Sequence, residues 1–464
     1  MGKRVNMQKD STITIIGAGM AGTLQAVLLA QRGFRVSLFE RNPDPRKGDA
    51  PAGRSVNLAL GERGRFALDA AGLLEKVDTF SIPMRGRMLH SPEGEQRLQP
   101  YGKDDTEVIY SVHRARLNEC LLDAADGLEE LSIRFNHQLD RIDWDTNQAW
   151  FKCSEDSGEI AHGFKVLIGT DGAGSALRRS MQTQADLGVS EELLETGYKE
   201  LSIPPGENGE PLLDPNALHV WPRGGFMLIG LANMDNSFTM TLFLDNHASD
   251  NNRGFDELEN WPAQLDFMNE YFADAVPLIP DLEREFKQNP IGLLGTIRCK
   301  KWHMDSKALI IGDAAHAIVP FHGQGVNAAF EDCVALMECL QEIEPGGEIN
   351  WKEVFSELQD RRIANANAIA DMALENYEIM RESVRHEGFL LRKELEHELE
   401  RRHPGHFIAR YSLVMFHRIP YAEAYRRGEI QAGILDELLK GASSLDDVDF
   451  ETAARLINHK LNTV

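Results

Sequence analysis

The sequence has few cysteines and no long apolar run. Its five cysteines are odd in number and include no CxxC pair, so neither a disulfide framework nor a zinc site is predicted. Because disulfides are rare in reducing compartments, this cysteine usage favours the cytoplasm. No stretch approaches the roughly 18–20 apolar residues of a membrane-spanning helix, and the polar N-terminus is unlike a secretory signal. We therefore expect a soluble, cytoplasmic protein with no membrane span.

Basic residues are also scarce, since 49 lysines and arginines stand against 73 acidic residues and give a net charge of −24. A nucleic-acid-binding surface needs clustered basic residues, and so does docking on anionic lipid. Both classes of partner are excluded. An acidic small molecule remains possible, because a local pocket can be basic. The length of 464 residues, 42% of them hydrophobic, indicates two or more folded domains.

Metal ligands form no recognisable pattern. His403 and His406 are close in sequence, but a Pro-Gly pair separates them and no carboxylate cluster completes a site. No metal is predicted.

A glycine-rich turn near the N-terminus carries the first functional signal. Gly17-x-Gly19-x-x-Gly22 follows a predicted strand, Thr12–Ile16, and opens a predicted helix. In such turns the first glycine permits the tight bend, the second lets the backbone approach a pyrophosphate, and the third lets helix and strand pack closely. Glu40 ends the next predicted strand, 18 residues after Gly22, where an acid can bind a ribose hydroxyl. These features together predict a dinucleotide site.

Two later carboxylates follow predicted buried strands. Asp171 comes after Lys165–Gly169, and Asp313 comes after Ala308–Ile311. Ligands of open α/β sheets bind beyond the carboxyl ends of the strands, so both acids are candidate nucleotide contacts. Aspartate also favours helix N-caps, by about 1 kcal/mol. For Asp313 we expect capping and ligand contact together.

The middle and the end of the chain differ in pattern. The runs Ala217–Trp221, Phe226–Ala232 and Ser237–Leu244 lie close together and predict an antiparallel meander, the last alternating as a strand with one buried face should. From Trp351 onward the pattern is mainly helical, including Trp351–Arg385, Glu387–Arg402 and a segment around Tyr411–Arg427. The predicted fold class is α/β, a Rossmann-like domain interrupted by an antiparallel-sheet substrate domain and followed by a C-terminal helical region.

The order of the GxGxxG turn, the Asp171-Gly172 segment and the Gly312-Asp313 segment resembles that of the single-component, FAD-dependent aromatic hydroxylases. The resemblance implies bound FAD, with NADPH as a cosubstrate that has no Rossmann domain of its own. It also implies that Asp313 binds the ribityl hydroxyls and that the helix start at Gly323–Asn327 points at the flavin's pyrimidine edge. The domains are then expected at 1–85, 111–182 and 299–345 for FAD binding, 86–110 and 183–298 for the substrate, and 346–464 for the helical region.

Within that superfamily, several segments resemble the kynurenine 3-monooxygenase family. They are Gly53–Leu60, Met84–Met88, Gln99–Gly102, Gly197–Leu201, Pro320–Gly325, Leu374–Met380 and Arg410–Phe416. The resemblance implies that L-kynurenine is hydroxylated to 3-hydroxy-L-kynurenine with NADPH and O2, through a flavin C4a-hydroperoxide. Eukaryotic members carry a C-terminal membrane helix, whereas this chain ends in an acidic, amphipathic segment, so membrane attachment is not carried over.

The family motifs also imply which residues contact the substrate. Arg87 matches the arginine that binds the substrate carboxylate, and Tyr101, Asn376 and Tyr411 match the other pocket positions. Arg85 is the near competitor of Arg87, and the register of the motif favours Arg87. Without the resemblance, such residues would more often make surface ion pairs or pack.

The same register implies the residues along the flavin. These are Gly17, Gly19, Ala21, Gly22, Glu40, Arg41, Ala59, Arg114, Leu139, Asp313, Gly325, Val326 and Asn327. Pro320, Phe321 and His322 are expected to shape the pocket near the flavin edge. His316 and His322 could act as acid or base, because the usual pKa of histidine is near 6.5, but a structural role is favoured for both.

Two other functions remain open from the sequence. One is a hydroxylase of the same superfamily that acts on another aminated or phenolic arene. The other is a non-catalytic flavin-binding sensor, which would keep the three nucleotide segments but would need no pocket around Arg87 and Tyr101.

Overall fold

The computed structural model describes residues 12–48, 57–102, 106–154, 158–249, 252–343, 349–382 and 387–464. The first four residues of the Gly53–Leu60 motif and the expected helix end at Arg385 lie outside this range.

The strands in the described ranges are β1 (Thr12–Ile16), β2 (Arg35–Phe39), β3 (Asn57–Leu60), β4 (Ser81–Met84), β5 (Gly86–His90), β6 (Gln96–Pro100), β7 (Ile109–His113), β8 (Leu131–Arg134), β9 (His137–Asp143), β10 (Gln148–Cys153), β11 (Glu159–Gly163), β12 (Val166–Gly169), β13 (Ser190–Ile203), β14 (Ala217–Pro222), β15 (Met227–Ala232), β16 (Phe238–Asp245), β17 (Gly292–Arg298), β18 (His303–Met304) and β19 (Ala308–Ile310).

The α-helices in the same ranges are α1 (Met20–Gln31), α2 (Glu62–Ala70), α3 (Leu74–Asp78), α4 (Arg114–Asp126), α5 (Ala176–Gln182), α6 (Trp261–Tyr271), α7 (Leu282–Gln288), α8 (Asp313–His316), α9 (Gly325–Ile343), α10 (Trp351–Glu382), α11 (Glu387–Arg402), α12 (Arg410–Met415), α13 (Tyr421–Leu438) and α14 (Phe450–Lys460).

A mainly parallel sheet forms the nucleotide-binding part of the fold. Its order is β18-β19-β12-β1-β2-β8, and only the β18–β19 pair is antiparallel. Strands β1, β2 and β12 are apolar and almost wholly buried, as expected for parallel strands with both faces covered. Helix α1 is buried along most of its length and packs against α4 and α9. This arrangement brings the carboxyl ends of β1, β12 and β19 to one edge of the sheet.

A seven-stranded sheet, in the order β17-β13-β16-β15-β14-β5-β6, forms the second layer. The predicted meander is its centre, since β14, β15 and β16 pair antiparallel in sequence order. The expectation of one buried face for β16 is wrong, because Thr239 and Phe243 are buried as well as the alternate residues. The second face of β16 lines a cavity, and sequence alternation alone does not distinguish a cavity from solvent.

The C-terminal helices cover one side of this sheet. The segment expected around Tyr411–Arg427 is mainly helical, but it is divided between two helices, because α12 ends at Met415 and α13 starts at Tyr421. Pro420 explains the break, since it lies at the N-cap of α13 with φ −52° and ψ 137° and disfavours helix for the residue before it. Helix α10 packs against α9 and α13 and therefore joins the helical region to the parallel-sheet layer. The α/β fold class with a helical C-terminal region is confirmed.

Candidate active site

One cavity of about 820 Å³ connects the two sheets and the C-terminal helices. Most of the residues expected at the cofactor line it, namely Gly17, Gly19, Ala21, Glu40, Arg41, Ala59, Arg114, Leu139, Asp313, Gly325 and Val326. So do six residues expected near the substrate, namely Arg87, Tyr101, Pro320, Phe321, His322 and Tyr411. Gly22, Asn327 and Asn376 do not line it.

The glycine-rich turn meets different physical demands at its three glycines. Gly17 has φ +101°, a conformation that favours glycine. A Cβ at Gly22 would lie 2.0 Å from the Gly17 carbonyl oxygen, so Gly22 allows α1 to pack on the strand. Gly19 has an ordinary φ of −70°, and its Cβ would meet nothing within 4 Å. Since neither backbone nor packing requires glycine there, close approach of a ligand explains Gly19 best.

Glu40 lies directly after β2 and is held from two sides. Its Oε2 accepts a hydrogen bond from the Ala18 amide at 2.9 Å, and its Oε1 accepts from the backbone and side chain of Asn42. These bonds fix the carboxylate beside the glycine-rich turn, in the cavity wall. The position suits a ribose hydroxyl of a dinucleotide.

Asp171 and Asp313 differ in their hydrogen bonds. Asp171 accepts bonds from the Ser175 hydroxyl at 2.5 Å and from the amides of Ala176 and Leu177. It therefore binds the first turn of α5, whose N-cap is Ser175, while it lines the cavity. The capping expected of Asp313 is wrong, because α8 starts at Asp313 itself and Gly312, with φ 58°, occupies the N-cap position. The Asp313 side chain is exposed to the cavity, so its carboxylate has a face available to a ligand there. Enclosure by the surrounding protein raises the pKa of Asp313, while His316 and Arg114 oppose that shift.

A buried ionic network lies behind the Gly312-Asp313 turn. Asp332 of α9, fully buried, accepts the Gly312 amide at 3.0 Å, His316 Nε2 at 2.5 Å and Arg362 Nε at 2.7 Å. Burial opposes ionisation, but His316 and Arg362 outweigh it and lower the pKa of Asp332 to about 2. His316 is not in the cavity wall, and its contact with Asp332 is structural.

The same network reaches the C-terminal helices. Arg362 also bonds Glu331 at 2.6 Å, and Glu331 pairs with Arg63 of α2 at 3.1 Å. The Arg63 guanidinium donates to the carbonyl of Val414 in α12 and lies 3.9 Å from the Tyr421 ring centre. The backbone of the Gly312-Asp313 turn and the position of α12 are thereby joined through buried charges, which sequence spacing did not reveal.

Arg87 lies at the centre of an aromatic cluster. Its guanidinium carbon is 5.6 Å from the Tyr101 ring centre and 5.0 Å from that of Tyr411, and both hydroxyls are within its hydrogen-bonding reach. Tyr101 and Tyr411 stack at 5.6 Å with 16° between their planes. No carboxylate in the described part of the chain forms an ion pair with Arg87, and its buried Nε has no partner there. The competitor Arg85 is exposed and does not line the cavity.

The Pro320–His322 turn forms the wall next to this cluster. His322 stacks on Tyr411 at 5.3 Å, and burial lowers the pKa of His322 to about 3, with Arg410 and Arg87 acting in the same direction. The imidazole is therefore neutral at physiological pH. Asn376 of α10 does not line the cavity. Its amide nitrogen donates to the Phe321 carbonyl at 2.5 Å and so supports the turn on the side away from the cavity.

Asn327 also has a supporting position rather than one in the wall. Its side chain bonds the Gly61 amide and the carbonyls of Ala59 and Gly323, all at 2.9 Å. It thereby joins the start of α9 to the end of β3.

The cavity floor was missed by sequence reasoning. It consists of side chains from the seven-stranded sheet, namely Leu218, Met227, Ile229, Leu231, Thr239, Thr241, Phe243, Leu294 and Thr296. The sequence signal was present in the inserted meander, but which face of each strand meets the cavity depends on the packing of the two layers. This floor is mostly apolar, which favours an aromatic ligand over a strongly hydrated one.

Comparison with known proteins places the chain in a family. The family model described as FAD binding domain matches residues 10–348. The solved tetrameric form of 2-methyl-3-hydroxypyridine-5-carboxylic acid oxygenase has a TM-score of 0.64 and 18% identity, over 83% of this chain and 96% of that one. PqsL of Pseudomonas aeruginosa has a TM-score of 0.65 and 17% identity, over 82% and 99%. These structures share the fold.

Curated relatives match at much higher identity. Kynurenine 3-monooxygenase of Stenotrophomonas maltophilia is 45% identical over 450 residues, 97% of each chain. That of Xanthomonas oryzae pv. oryzae is 44% identical over 457 residues, 98% of each chain. The chain belongs to the kynurenine 3-monooxygenase family.

Membership in the kynurenine 3-monooxygenase family extends beyond the FAD binding domain. The domain match ends at residue 348, whereas the matches to the relatives include α10 and α12, which carry Asn376 and Tyr411. Across the described ranges, no helix is long and apolar enough to cross a membrane. The same ranges hold no group of three or more histidine, cysteine or acidic side chains placed to bind a metal.

Proposed function

We propose that this chain uses bound FAD, NADPH and O2 to hydroxylate L-kynurenine to 3-hydroxy-L-kynurenine. The observation that carries the proposal is the half-buried Arg87, whose buried Nε has no hydrogen-bond partner and which forms no ion pair with a carboxylate in the described residues. Arg87 shares a cavity with the glycine-rich turn. A buried polar group of a cation is unfavourable unless it is paired. A substrate with a carboxylate and an aromatic ring would supply that pair and fill the apolar floor.

The chain's residues are proposed to bind and orient the ligands rather than to move protons. FAD, when bound, supplies the chemistry of hydride acceptance from NADPH and of O2 activation. Arg87 would grip the substrate carboxylate with a forked, charge-assisted pair, helped by the hydroxyls of Tyr101 and Tyr411. The neutral His322 and the apolar floor would exclude water from the reacting ring. The aromatic amine of kynurenine activates the ring itself, so no strong base is needed.

The cofactor residues are proposed on the same basis. Gly17, Gly19 and the start of α1 would meet the pyrophosphate with backbone amides, and Glu40 would bind a ribose hydroxyl. Asp313 would bind the ribityl chain, with Ala21, Arg41, Ala59, Arg114, Leu139, Gly325 and Val326 along the remaining surface. Gly22 and Asn327 would act by holding the turns in place.

We also propose the domain division given by the sequence, which agrees with the membership of the sheets. Strands β5 and β6 join β13–β17 although 89 residues, 101–189, lie between β6 and β13. A cytoplasmic location is supported by the five cysteines, all of which are free.

The deciding experiment is to measure NADPH oxidation and flavin reduction by the FAD-loaded protein with and without L-kynurenine. We expect kynurenine to accelerate both and 3-hydroxy-L-kynurenine to form. Another arylamine or phenol that accelerates flavin reduction where kynurenine does not would reassign the substrate. If neither does, the sensor alternative is favoured.

Gly19→Ala should lower the affinity for FAD by about tenfold, equivalent to about 1.4 kcal/mol, without lowering the thermal unfolding midpoint of the FAD-free protein. The reason is that the added methyl group meets no protein atom within 4 Å but faces the cavity. Titration of the FAD-free protein measures the affinity. Gly163→Ala is the control, since a Cβ there also meets nothing and lies outside the cavity; equal affinities for the two variants would refute this role of Gly19.

His322→Gln should leave the pH profile of kcat/KM unshifted between about pH 6 and 9. A histidine with a pKa near 3 is already neutral above that value, so it has no titration to lose in this range. Some loss of kcat/KM, below about tenfold, is expected from the altered wall. Disappearance of an ionisation from the profile of the variant would instead assign an acid–base role to His322.

A further inference from the structure

Helix α10 presents Glu375 to the residue that precedes Tyr411. Glu375 Oε2 lies 2.7 Å from an Arg410 guanidinium nitrogen, and Glu375 Oε1 accepts a hydrogen bond from the Tyr425 hydroxyl at 2.9 Å. The hydrogen bond to Glu375, together with burial and the nearby carboxylates, raises the pKa of Tyr425 to about 12. One carboxylate therefore links α10, α12 and α13.

The side chain of Arg410 has a defined path to Glu375. It crosses α13 at Gly428, where a Cβ would lie 2.2 Å from Arg410 Cδ. Glu429 adds a weaker contact at 3.8 Å, and the Tyr425 ring centre lies 5.9 Å from the guanidinium carbon. Gly428 is thus explained by the passage of Arg410, which indicates a specific arrangement and not a chance surface pair.

Helix α12 depends on such contacts because it has little support of its own. It spans six residues, and its N-cap residue, Ala409, makes no side-chain capping bond. The C-terminal end of α12 is held by Arg63 at the Val414 carbonyl. At the N-terminal end, Arg410 directly precedes Tyr411 in the chain and is held by its ion pair with Glu375. That ion pair therefore helps to fix the orientation of the Tyr411 ring.

We propose that Glu375 is a positioning residue, which acts through Arg410 to set Tyr411 against Arg87 and Tyr101. Glu375 itself is not in the cavity wall. Its effect is on the preformed aromatic cluster at the substrate end of the cavity. The expected change in KM for kynurenine rests on the proposed function. The expected effect of Glu375 on the position of Tyr411 does not depend on the identity of the substrate.

The test compares Glu375→Gln with Asp371→Asn in the FAD-loaded protein. Glutamine keeps the shape of the side chain and an acceptor for Tyr425, but it removes the charge that pairs with Arg410. Asp371 lies one turn earlier on α10, has similar exposure, and pairs with Arg298 of β17 at 2.6 Å. Its ion pair therefore lies next to Ile297 of the cavity wall and not next to Tyr411. Only the Glu375 variant should change the site.

For Glu375→Gln we expect KM for kynurenine and the dissociation constant from flavin absorbance to rise about fivefold to tenfold, because a small misplacement of a binding group is costly. We expect kcat to change less than about threefold, and FAD retention and the thermal midpoint to match Asp371→Asn. Arg410→Lys keeps a positive charge that can pair with Glu375, so it should lose less affinity for kynurenine than Glu375→Gln does. In a Tyr411→Ala background the Glu375 substitution should add less than about twofold.

Hydrogen exchange provides a readout without substrate. In Glu375→Gln the amides of residues 409–416 should exchange faster than in the wild type and in Asp371→Asn. Unchanged exchange, an equal effect of Asp371→Asn, or a fully additive loss in Tyr411→Ala would overturn the proposal. If kynurenine perturbs neither flavin absorbance nor NADPH oxidation in the wild type, the proposed function fails, and the exchange measurement alone decides the role of Glu375.

Discussion

Replacing Arg87 by alanine should lower kcat/KM for L-kynurenine by about 100-fold or more, while the protein retains FAD. A hydrogen bond to a charged group is worth about 1.5–3 kcal/mol, and loss of a forked pair of about 3 kcal/mol corresponds to roughly 100-fold. Tyr101 and Tyr411 alone would offer the carboxylate only neutral donors. Steady-state kinetics and the dissociation constant from flavin absorbance measure the loss.

Arg85→Ala is the matched control for Arg87. Both residues lie near the start of β5, two positions apart, but the Arg85 side chain is exposed and outside the cavity wall. We expect Arg85→Ala to change kcat/KM by less than about threefold. Arg87→Lys should lie between, because lysine keeps the charge and loses the fork. Loss of FAD from Arg87→Ala, with normal substrate affinity once FAD is restored, would place Arg87 at the cofactor instead.

The sequence predicted correctly the features that are defined by residues close together in the chain. The glycine-rich turn, Glu40 and the strand before Asp313 occur within a few residues of the features that define them, so spacing was enough to predict them. Asp313 shows the limit of this reasoning. Aspartate after a strand favours an N-cap, but the positive φ of Gly312 gives that glycine the N-cap position and leaves the carboxylate to face the cavity.

Contacts between distant segments could not be predicted from the pattern. Thr239 and Thr241 alternate with apolar residues as solvent-facing positions do, yet the packing of the helical region over the sheet makes them part of the cavity floor. The motif placed Asn376 near the substrate, whereas the structure uses its amide to hold the Phe321 carbonyl. Both outcomes depend on which face of β16 and which face of α10 pack against the rest of the protein. The residues next to these positions in the chain do not determine that packing.

The network around Asp332 provides the second large prediction, because its charges are buried and shared by three segments. Asp332→Ala should reduce the free energy of unfolding by about 3–5 kcal/mol, the usual cost of removing one partner from a buried ion pair. The substitution removes the acceptor for the Gly312 amide and for His316, and leaves Arg362 with Glu331 alone as a charged partner among the described residues. At about 2.1 cal/mol/K of unfolding entropy per residue, that loss corresponds to a fall in the thermal unfolding midpoint of about 3–5 °C for a chain of this length. We also expect weaker retention of FAD.

Asp78→Ala is the control, since Asp78 pairs with Arg65 at 2.5 Å but is 40% exposed in its side chain. Exposed pairs contribute about 0–1 kcal/mol, so the midpoint of this variant should fall by about 1 °C or less. If the thermal midpoint of Asp78→Ala fell as far as that of Asp332→Ala, the burial of the Asp332 network would not explain its contribution to stability.

The dependence of stability on pH tests the network around Asp332 in the wild-type protein, where no side chain has been replaced. The pKa of Asp332 is lowered to about 2, whereas an unfolded aspartate titrates near 3.9. The ionised form is therefore favoured by folding, so its contribution is fully present above about pH 4 and is lost as the pH falls towards 2. The wild type should lose more stability than Asp332→Asn across that window, because the asparagine has no proton to bind. Parallel losses in the two proteins would show that Asp332 is not ionised in the folded state, and the Gly312 turn would then be held by neutral hydrogen bonds.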